Sequence, residues 1–212
     1  MNTLLIATHN PAKKEELMGG FMLSFVQTGH APSLQTLDDL HISADPEETG
    51  KTFLENARLK AKYFAKKSNL PTVADDGGIE IDVLNGEPGV HSKRWLGKDA
   101  TDAELINHTL KKLQNVPDEK RNAQFTVCLY YFNPLTRYET SITESLRGYI
   151  SHSPSGKARK GFPYRALFIV DECNKYYDEL TQAEHHVINH RLKAIQKLIP
   201  LIQKDFSFSQ NV

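Results

Sequence analysis

The apolar residues of this chain fall into short runs and amphipathic stretches that predict alternating strands and helices. The segments Leu4–Ala7 and Thr72–Ala74 are typical of short buried strands. Between them, apolar residues recur at helical spacing from Phe53 onwards, which predicts a helix that ends near Lys67. A further strand is expected near Phe25.

Several helix starts are marked by capping boxes, in which a Thr is followed three residues later by a Glu. These boxes begin at Thr52, Thr101 and Thr181. An additional helix is predicted from Pro11 to about Met18, because Pro suits the first helical position and Gly19-Gly20 is expected to end the helix. The last helix is expected to be disturbed at Pro200.

Further strands are predicted downstream of the second helix, mostly from the alternation of apolar and polar residues. They are Ile79–Val83, Ala123–Tyr131, Tyr138–Thr143, Leu146–Ile150 and Ala166–Val170. Because strands and helices are mixed along the chain, we predict an α/β or α+β fold with a largely antiparallel section in its second half. No internal repeat or linker-like stretch divides the sequence, so we expect one domain over residues 1–212.

The composition is that of a globular chain, with 39% hydrophobic and 25% charged residues. Lys plus Arg and Asp plus Glu are balanced at 26 each, which disfavours nucleic acid or an anionic membrane surface as a partner. No apolar stretch is long enough to predict a membrane span. Two cysteines make no disulfide framework, and the N-terminal apolar run is too short for a signal peptide, so we expect a cytoplasmic protein.

The turn that follows the first strand is a candidate anion site. Thr8, His9 and Asn10 lead into the helix that starts at Pro11, and a helix N-terminus offers unpaired N–H groups and a favourable dipole. Thr8 can donate its hydroxyl, Asn10 can cap the helix or donate its amide, and Lys13 places a cation beside a bound anion. The alternative is an ordinary strand, turn and helix with a cap and a solvated lysine.

A second candidate site is formed by Asp75 and Asp76. Adjacent carboxylates at the end of a strand repel each other unless a cation lies nearby, and Mg²⁺ prefers oxygen ligands. Gly77-Gly78 would let a substrate approach the backbone closely. The alternative is a polar turn with solvated acids.

Three further charged residues precede or occupy the second helix. Glu47 and Glu48 lie ahead of its N-terminus, where acidic residues are favoured in any case. Lys60 lies on the opposite side from the apolar stripe and, by itself, is typical of a surface lysine.

The basic segment Ser155–Arg165 contains two aromatic residues, Phe162 and Tyr164. A loop of this kind can stack on a base and neutralise phosphate. The alternative is a basic surface loop whose two aromatic side chains pack into the core.

Taken together, these segments resemble the Ham1-like, or inosine triphosphate pyrophosphatase, family from about Leu4 to Leu198. The matching segments are Ala7–Lys13, Glu48–Ala57 with Lys60, Leu70-Pro71, Ala74–Gly78, Pro88–Ser92 with Arg94, Gly161-Phe162 with Tyr164, and Asn189–Arg191. Their order and spacing are more specific than any one of them. The family hydrolyses non-standard purine nucleoside triphosphates (ITP, dITP and XTP) to monophosphate and pyrophosphate, and the resemblance implies this activity here.

The resemblance also implies a set of site residues. Those expected to contact the nucleoside triphosphate are Thr8, His9, Asn10, Lys13, Lys60, Gly77, Arg94, Phe162, Tyr164, Arg165, His185, His190 and Arg191. Mg²⁺ is the implied cofactor, held by Asp76 together with Glu47 or Glu48. Asp76, with Asp75, is expected to orient or deprotonate the attacking water. The metal polarises a phosphoryl oxygen and lowers the pKa of its water.

The sequence departs from the family pattern mainly where the base is expected to bind. There Phe162 and Tyr164 would flank the base, and His190 and Arg191 would reach its edge. Arg165 stands in place of an acid, His185 in place of a lysine, Asn189 in place of a serine, and Gly77 in place of another serine. These departures suggest that pyrophosphate-releasing hydrolysis is retained and that base selectivity is altered. The alternative is that Arg165 forms a purely structural ion pair with a nearby acid.

The family resemblance further implies an elongated, two-lobed mixed sheet that is flanked by helices and has a central cleft, and it implies a homodimer. Two alternative functions stay open from the sequence. One is the same chemistry on another modified nucleotide, and the other is a catalytically weak nucleotide-binding sensor.

Overall fold

The computed structural model describes residues 3–28, 32–97, 100–157 and 159–208. Over these residues the strands are β1 (Thr3–Ala7), β2 (Ser33–Thr36), β3 (Thr72–Ile81), β4 (Asn122–Phe132), β5 (Glu139–Ile150), β6 (Phe168–Val170) and β7 (Lys175–Tyr176). The α-helices are α1 (Pro11–Thr28), α2 (Phe53–Ser68), α3 (Asp102–Lys112), α4 (Gln182–Ile188) and α5 (His190–Phe208). This mixture of strands and helices confirms the predicted α/β class.

The strands form one open mixed sheet in the order β2-β1-β3-β4-β5-β6-β7. Strand β1 is parallel to both β2 and β3. Strand β6 is antiparallel to both β5 and β7, which agrees with the antiparallel section that the sequence predicts. The parallel part brings the carboxyl end of β1 beside β3, with Ala7 paired to Ala74 just before the double aspartate.

The described residues of 1–76, 127–144 and 191–212 form the first of two compact units. Its core joins one face of the sheet to helices α1 and α5. The buried members of that core include Leu4 and Ile6 of β1, Phe21 and Phe25 of α1, and Ile195 and Leu198 of α5. Helix α2 contacts β1 as well and buries Ala57, Ala61 and Phe64.

The described residues of 77–126 and 145–190 form the second unit. Its core is built by Ile79 and Ile81 of β3, Leu105 of α3, Phe125 of β4 and Phe168 of β6. The buried guanidinium of Arg121 supports this core by donating to the backbone oxygens of Ile150, Leu113 and Ser151.

Helix α1 is longer than the sequence predicts, so the expected end at Gly19-Gly20 and the expected strand near Phe25 are both wrong. Leu17, Phe21 and Phe25 are buried at successive helical turns, and they extend the apolar stripe past the glycines. A Cβ atom on Gly20 would lie 2.6 Å from Cδ1 of Ile195. This glycine therefore permits close packing of α1 on α5 rather than ending the helix.

Two pairs of predicted strands are each joined into a single strand in the described chain. The segments Thr72–Ala74 and Ile79–Ile81 belong to one continuous strand, β3, whereas Asp82 and Val83 lie in the 3₁₀ helix Asp82–Leu84. A Cβ atom on Gly78 would lie 2.2 Å from Oγ of Ser92, so this glycine serves a close contact within an extended strand. In the same way, the two strands predicted within residues 138–150 are joined in β5.

The capping boxes at Thr101 and Thr181 are confirmed in full. At Thr52 the side chain accepts from the Glu55 N–H, whereas the Glu55 carboxylate accepts from the Lys51 N–H instead of closing the box. Helix α2 ends as predicted.

The last helix is divided in a way that the sequence did not predict. Asn189 has a ψ of 112°, which ends α4 and separates it from α5. Helix α5 continues through Pro200 to Phe208. Among the described helices none has the length and apolar character needed to cross a membrane.

Candidate functional site

The turn between β1 and α1 is organised by Asn10. Its Oδ1 accepts hydrogen bonds from the N–H groups of Ala12 and Lys13, at 2.9 and 3.2 Å, which confirms that Asn10 caps the helix. These two N–H groups are therefore occupied by the cap in this structure. Thr8 accepts from the Asn10 N–H, and His9 lies 3.7 Å from a carboxylate oxygen of Asp45.

Asp75 is the centre of a buried charge cluster in the first unit. Lys13 Nζ lies 3.0 Å from its Oδ2, and Nη2 of Arg191 lies 3.3 Å from the same oxygen. Arg191 also donates from Nη1 to Glu16, whose side chain is 6% exposed. Helix α1 thus supplies both a cation and an anion to the cluster, since Lys13 and Glu16 are three positions apart.

The charges around Asp75 fix its protonation state. Burial alone raises the pKa of this carboxyl, but the ammonium of Lys13 and the guanidinium of Arg191 outweigh burial and lower the pKa to about 2. Asp75 is consequently a carboxylate at any physiological pH and a poor acceptor for a proton taken from water.

Asp76 has a different set of partners. Lys60 Nζ lies 2.9 Å from its Oδ1 and 3.2 Å from Oε1 of Glu48. Asn56 donates from Nδ2 to Oδ2 of Asp76 at 3.2 Å. Burial lowers the pKa of Lys60, but Asp76, Asp75 and Glu48 outweigh burial and raise it, so this lysine is held as a cation. Lys60 is thus a buried ion-pair partner rather than a surface lysine.

The two glutamates that the sequence left as alternative metal ligands are placed differently. Glu48 shares the ammonium of Lys60 with Asp76, whereas Glu47 is exposed. No group of three or more His, Cys, Asp or Glu side chains within the described parts of the chain is arranged as a metal site. The oxygens of Glu48 and Asp76 nevertheless converge on a single positive charge, and Mg²⁺ commonly uses only one or two protein carboxylates, with water and phosphate as its other ligands. This pair therefore fits Mg²⁺.

Several of the remaining candidates belong to the second unit. Gly77 lies in β3 and is half-buried, and Arg94 is exposed at the end of the 3₁₀ helix Gly89–Arg94. Tyr164 is 6% exposed, and its hydroxyl donates to the backbone oxygen of Ser92 at 2.5 Å. The structure therefore packs the Tyr164 side chain into the core, which is the second of the two alternatives given for it above.

Arg165 is buried within an aromatic slot in the second unit. Its Cζ atom lies 3.6 Å from the ring centroid of Phe162 and 4.7 Å from that of Tyr177, and the residue is 3% exposed. Burial raises the pKa of the nearby Asp178, although the charges of Arg165 and Arg159 oppose that shift. Arg165 therefore has both a stacking partner and an acidic neighbour.

Tyr177 also contacts the two histidines that the sequence singled out. Its ring centroid lies 5.3 Å from that of His185 and 6.5 Å from that of His190. The His190 ring stacks on Phe125 at 5.8 Å with an interplanar angle of 8°. The structure thus brings Arg165, His185 and His190 around one tyrosine.

Three residues that contact the candidate site were not among the predicted site residues. Asn56 and Glu16 are polar side chains on helix faces that point inward, a signal that a helical projection of α1 and α2 could have given. Tyr177 gives no such local signal, because its neighbours come from separate segments of the chain.

The fold and these clusters define an α/β protein with a cation-rich acidic site at the carboxyl end of β1, beside the middle of its parallel neighbour β3. The carboxyl ends of parallel strands are where such sheets commonly bind ligands. The sequence pattern of the Ham1 family matches residues 4–201. The chain belongs to the Ham1 family.

Curated relatives and solved structures support the same assignment over nearly the whole chain. The chain is 37% identical over 205 residues to a dITP/XTP pyrophosphatase from Yersinia pestis, covering 96% of this chain and 99% of the relative. It is 39% identical over 201 residues to a dITP/XTP pyrophosphatase from Thermoanaerobacter pseudethanolicus, covering 95% and 96%. A solved HAM1 protein from Coxiella burnetii superposes with a TM-score of 0.82 at 32% identity, covering 96% of this chain and 100% of that one.

Proposed function

We propose that this protein is a nucleoside triphosphate pyrophosphatase that hydrolyses dITP, XTP and ITP to the nucleoside monophosphate and pyrophosphate. The observation that carries the proposal is the buried ammonium of Lys60 between the carboxylates of Glu48 and Asp76. Relatives at 36 to 39% identity are named dITP/XTP pyrophosphatases, which supports the same substrate class here.

The triphosphate is proposed to bind near the turn between β1 and α1. Lys13 and Lys60 supply positive charge, and Thr8 and His9 supply side-chain donors in place of the helix N–H groups that Asn10 already occupies. Gly77 and Arg94, in the second unit, stay predicted substrate contacts. This arrangement acts mainly by positioning the substrate and neutralising its charge.

Mg²⁺ is proposed as the cofactor, with Glu48 and Asp76 as its protein ligands. When bound, such a metal polarises a phosphoryl oxygen and lowers the pKa of coordinated water. Glu47 is the less suitable ligand because its side chain is exposed.

The two aspartates are proposed to have separate roles. Asp76 accepts the proton of the water whose oxygen attacks the α-phosphorus; the bond from that phosphorus to the bridging oxygen breaks and pyrophosphate leaves. Asp75, with a pKa of about 2, is suited to hold Lys13 and Arg191 in place rather than to accept that proton.

Base recognition is proposed to use the aromatic segment of the second unit. Phe162 supplies a stacking surface, supported by Tyr164, while His185 and His190 supply polar edges together with Arg191. Because the Arg165 guanidinium lies against Phe162 at 3.6 Å, a base that uses this ring must stack on the guanidinium or compete with it. This contact supports the hypothesis that base selectivity is altered in this chain.

The wider setting of the protein is also a proposal. We propose a cytoplasmic homodimer with no nucleic-acid partner. Two free cysteines, Cys128 and Cys173, support a reducing compartment, and the exposed Met22, Leu23 and Val26 on α1 support an interface with a second copy.

The proposal is tested by identifying the products formed from dITP with Mg²⁺ in the wild type and in Asp76→Asn. The wild type should yield equimolar monophosphate and pyrophosphate, whereas Asp76→Asn should lose turnover by about 1,000-fold and retain nucleotide binding. Wild-type protein that binds dITP without cleaving it would favour a nucleotide-binding sensor and contradict the proposal.

A further inference from the structure

Asn56 joins two parts of the charged site through one buried side chain. It lies in the first turn of α2 and is 2% exposed. Its Oδ1 accepts a hydrogen bond from the Gly50 N–H at 2.8 Å, and its Nδ2 donates to Oδ2 of Asp76 at 3.2 Å. A single amide thus satisfies a backbone donor on one side and a carboxylate on the other.

Gly50 is fitted closely around that amide. A Cβ atom on this residue would lie 2.5 Å from Oδ1 of Asn56 and 2.8 Å from Cβ of Glu55. The contact with Oδ1 is closer than any ordinary carbon–oxygen contact, so a side chain at position 50 must displace the Asn56 amide. Gly50 lies two positions after Glu48, and its bond to Asn56 ties the segment that carries Glu48 to helix α2.

Each of the two carboxylate oxygens of Asp76 accepts a hydrogen bond from a different side chain. Lys60 donates to Oδ1, and Asn56 donates to Oδ2. The lysine provides charge, whereas the amide provides a neutral donor whose direction is fixed by its second bond to Gly50. Loss of the amide would leave Asp76 held through Lys60 alone and would remove the bond between Gly50 and α2 at the same time.

We infer that Asn56 is a positioning residue that fixes the carboxylate of Asp76 directly and that of Glu48 through the hydrogen bond to Gly50. This inference rests on the proposed function, because it assigns Asn56 to the site that performs the hydrolysis. The amide meets both requirements, whereas aspartate keeps the acceptor for Gly50 but lacks the donor for Asp76, and alanine lacks both.

The first test compares Asn56→Ala and Asn56→Asp with the wild type. Both variants should lower kcat for dITP by about 10- to 100-fold, the usual effect of removing a group that orients a metal-binding or reacting side chain. KM should change less than about 3-fold, because the triphosphate donors are untouched. The exposed Asn107 of α3 supplies the control, and Asn107→Asp should behave as the wild type.

The second test measures metal binding without turnover. Titration of the nucleotide-free protein with Mn²⁺, followed by electron paramagnetic resonance, should show weaker binding in Asn56→Ala by about 10-fold. Unchanged Mn²⁺ affinity and unchanged kcat in Asn56→Ala would overturn the inference.

The third test disturbs the Asn56 amide through its hydrogen-bond partner, Gly50. Gly50→Ala should displace Asn56 and reproduce the fall in kcat, and Gly50→Ala combined with Asn56→Ala should be no worse than either alone, because both remove one coupling. Gly19→Ala is the matched control, since a Cβ there has no neighbour within 4 Å. If Asn56→Ala does not fold, Gly50→Ala decides: a normal kcat overturns the inference. A fall in kcat of the double variant that equals the product of the two single-variant effects would also overturn the inference.

These outcomes are distinct from failure of the proposed function. If the wild type releases no pyrophosphate from any purine triphosphate, the proposed function fails, while the Mn²⁺ titration still tests whether Asn56 orders the two carboxylates.

Discussion

Lys60 Nζ lies 2.9 Å from Oδ1 of Asp76, and both side chains are largely buried. The lysine is therefore a built-in counter-ion for the acidic residues, occupying the position where their negative charges converge. A divalent cation and the phosphates of a substrate would have to share this region with it.

Replacing Lys60 with methionine should separate substrate binding from metal binding. In this variant kcat/KM for dITP should fall by about 100-fold, because the cation that we propose to face the phosphates is lost. Binding of Mn²⁺ to the nucleotide-free protein should instead tighten by about 10-fold, since Glu48 and Asp76 lose a competing positive charge. The exposed Lys66 on the same helix is the control, and Lys66→Met should change neither quantity. Weaker Mn²⁺ binding in Lys60→Met would contradict this account.

Asp75→Asn should destabilise the fold because it leaves Lys13 and Arg191 without their shared carboxylate. Breaking a buried ion pair from one side costs about 3–5 kcal/mol, which urea unfolding near neutral pH would measure. The loss should shrink in acid: the wild-type carboxylate stabilises the fold above its ordinary pKa of 3.8, and this contribution disappears as the pH falls through about 2. If the difference in unfolding free energy between Asp75→Asn and the wild type is the same at neutral pH and in acid, the assigned charge state is contradicted.

Arg165→Asp should change the order of base preference. The substitution removes the guanidinium that lies on Phe162 and places an acid in the slot, so the ranking of kcat/KM among dITP, XTP, dGTP and dATP should alter by about 10-fold or more. Lys160→Asp makes the same charge change at an exposed position of the same loop and should leave the ranking intact. An unchanged ranking in Arg165→Asp would favour a purely structural ion pair.

The single tryptophan should report the protonation of His108. The two rings form an edge-to-face contact with centroids 4.7 Å apart. Burial, reinforced by Lys112 and Lys111, lowers the pKa of His108 below 6.5. As the pH is lowered, the fluorescence of Trp95 should therefore fall, because a protonated imidazole quenches indole more strongly than a neutral one. The midpoint of this fall should lie below pH 6.5.

The same histidine should make folding less stable in mild acid. A base with a lowered pKa binds fewer protons when folded than when unfolded, so stability is lost as the pH falls from 6.5 through the lowered pKa. His108→Gln should abolish the fluorescence titration. A midpoint above 6.5 in the wild type would contradict the assigned environment.

The adjacent glycines of α1 should respond in opposite directions to alanine. Gly20→Ala places a Cβ 2.6 Å from Ile195 and 2.8 Å from Leu192, which should cost about 1–3 kcal/mol of stability through overpacking. Gly19→Ala meets nothing within 4 Å and should stabilise the helix by up to about 1 kcal/mol. Thermal unfolding of both variants checks this, and equal effects would contradict the packing of α1 on α5.

Local signals in the sequence predicted the parts of the fold that depend on neighbouring residues. The capping boxes at Thr101 and Thr181 are confirmed because the bonds that define them join residues three positions apart. The predicted helix end at Gly19-Gly20 was wrong, because Gly20 allows close packing against Ile195, which is distant in the sequence. The break between Ala74 and Ile79 was wrong for a similar reason, since Gly78 permits a close contact with Ser92.

The candidate site shows the same division between local and distant causes. The cap by Asn10 was predictable from spacing, as was the position of Lys13 in the first turn. The pairing of Arg191 with Glu16 was not, because the two residues are brought together only when α1 and α5 pack. The resemblance to a family grouped Lys60 with Asp76 and Glu48, and the structure pairs these side chains, which the position of Lys60 on α2 alone did not indicate.

The most direct test of the account is pyrophosphate release with Mg²⁺ across ITP, dITP, XTP, ATP, GTP, CTP and UTP. The account predicts monophosphate and pyrophosphate as products, with kcat/KM for at least one of the three non-standard purine nucleotides about 100-fold above that for ATP and CTP. Release of inorganic phosphate and a nucleoside diphosphate would contradict the proposed cleavage at the α-phosphorus, and so would equal turnover of every nucleotide or none.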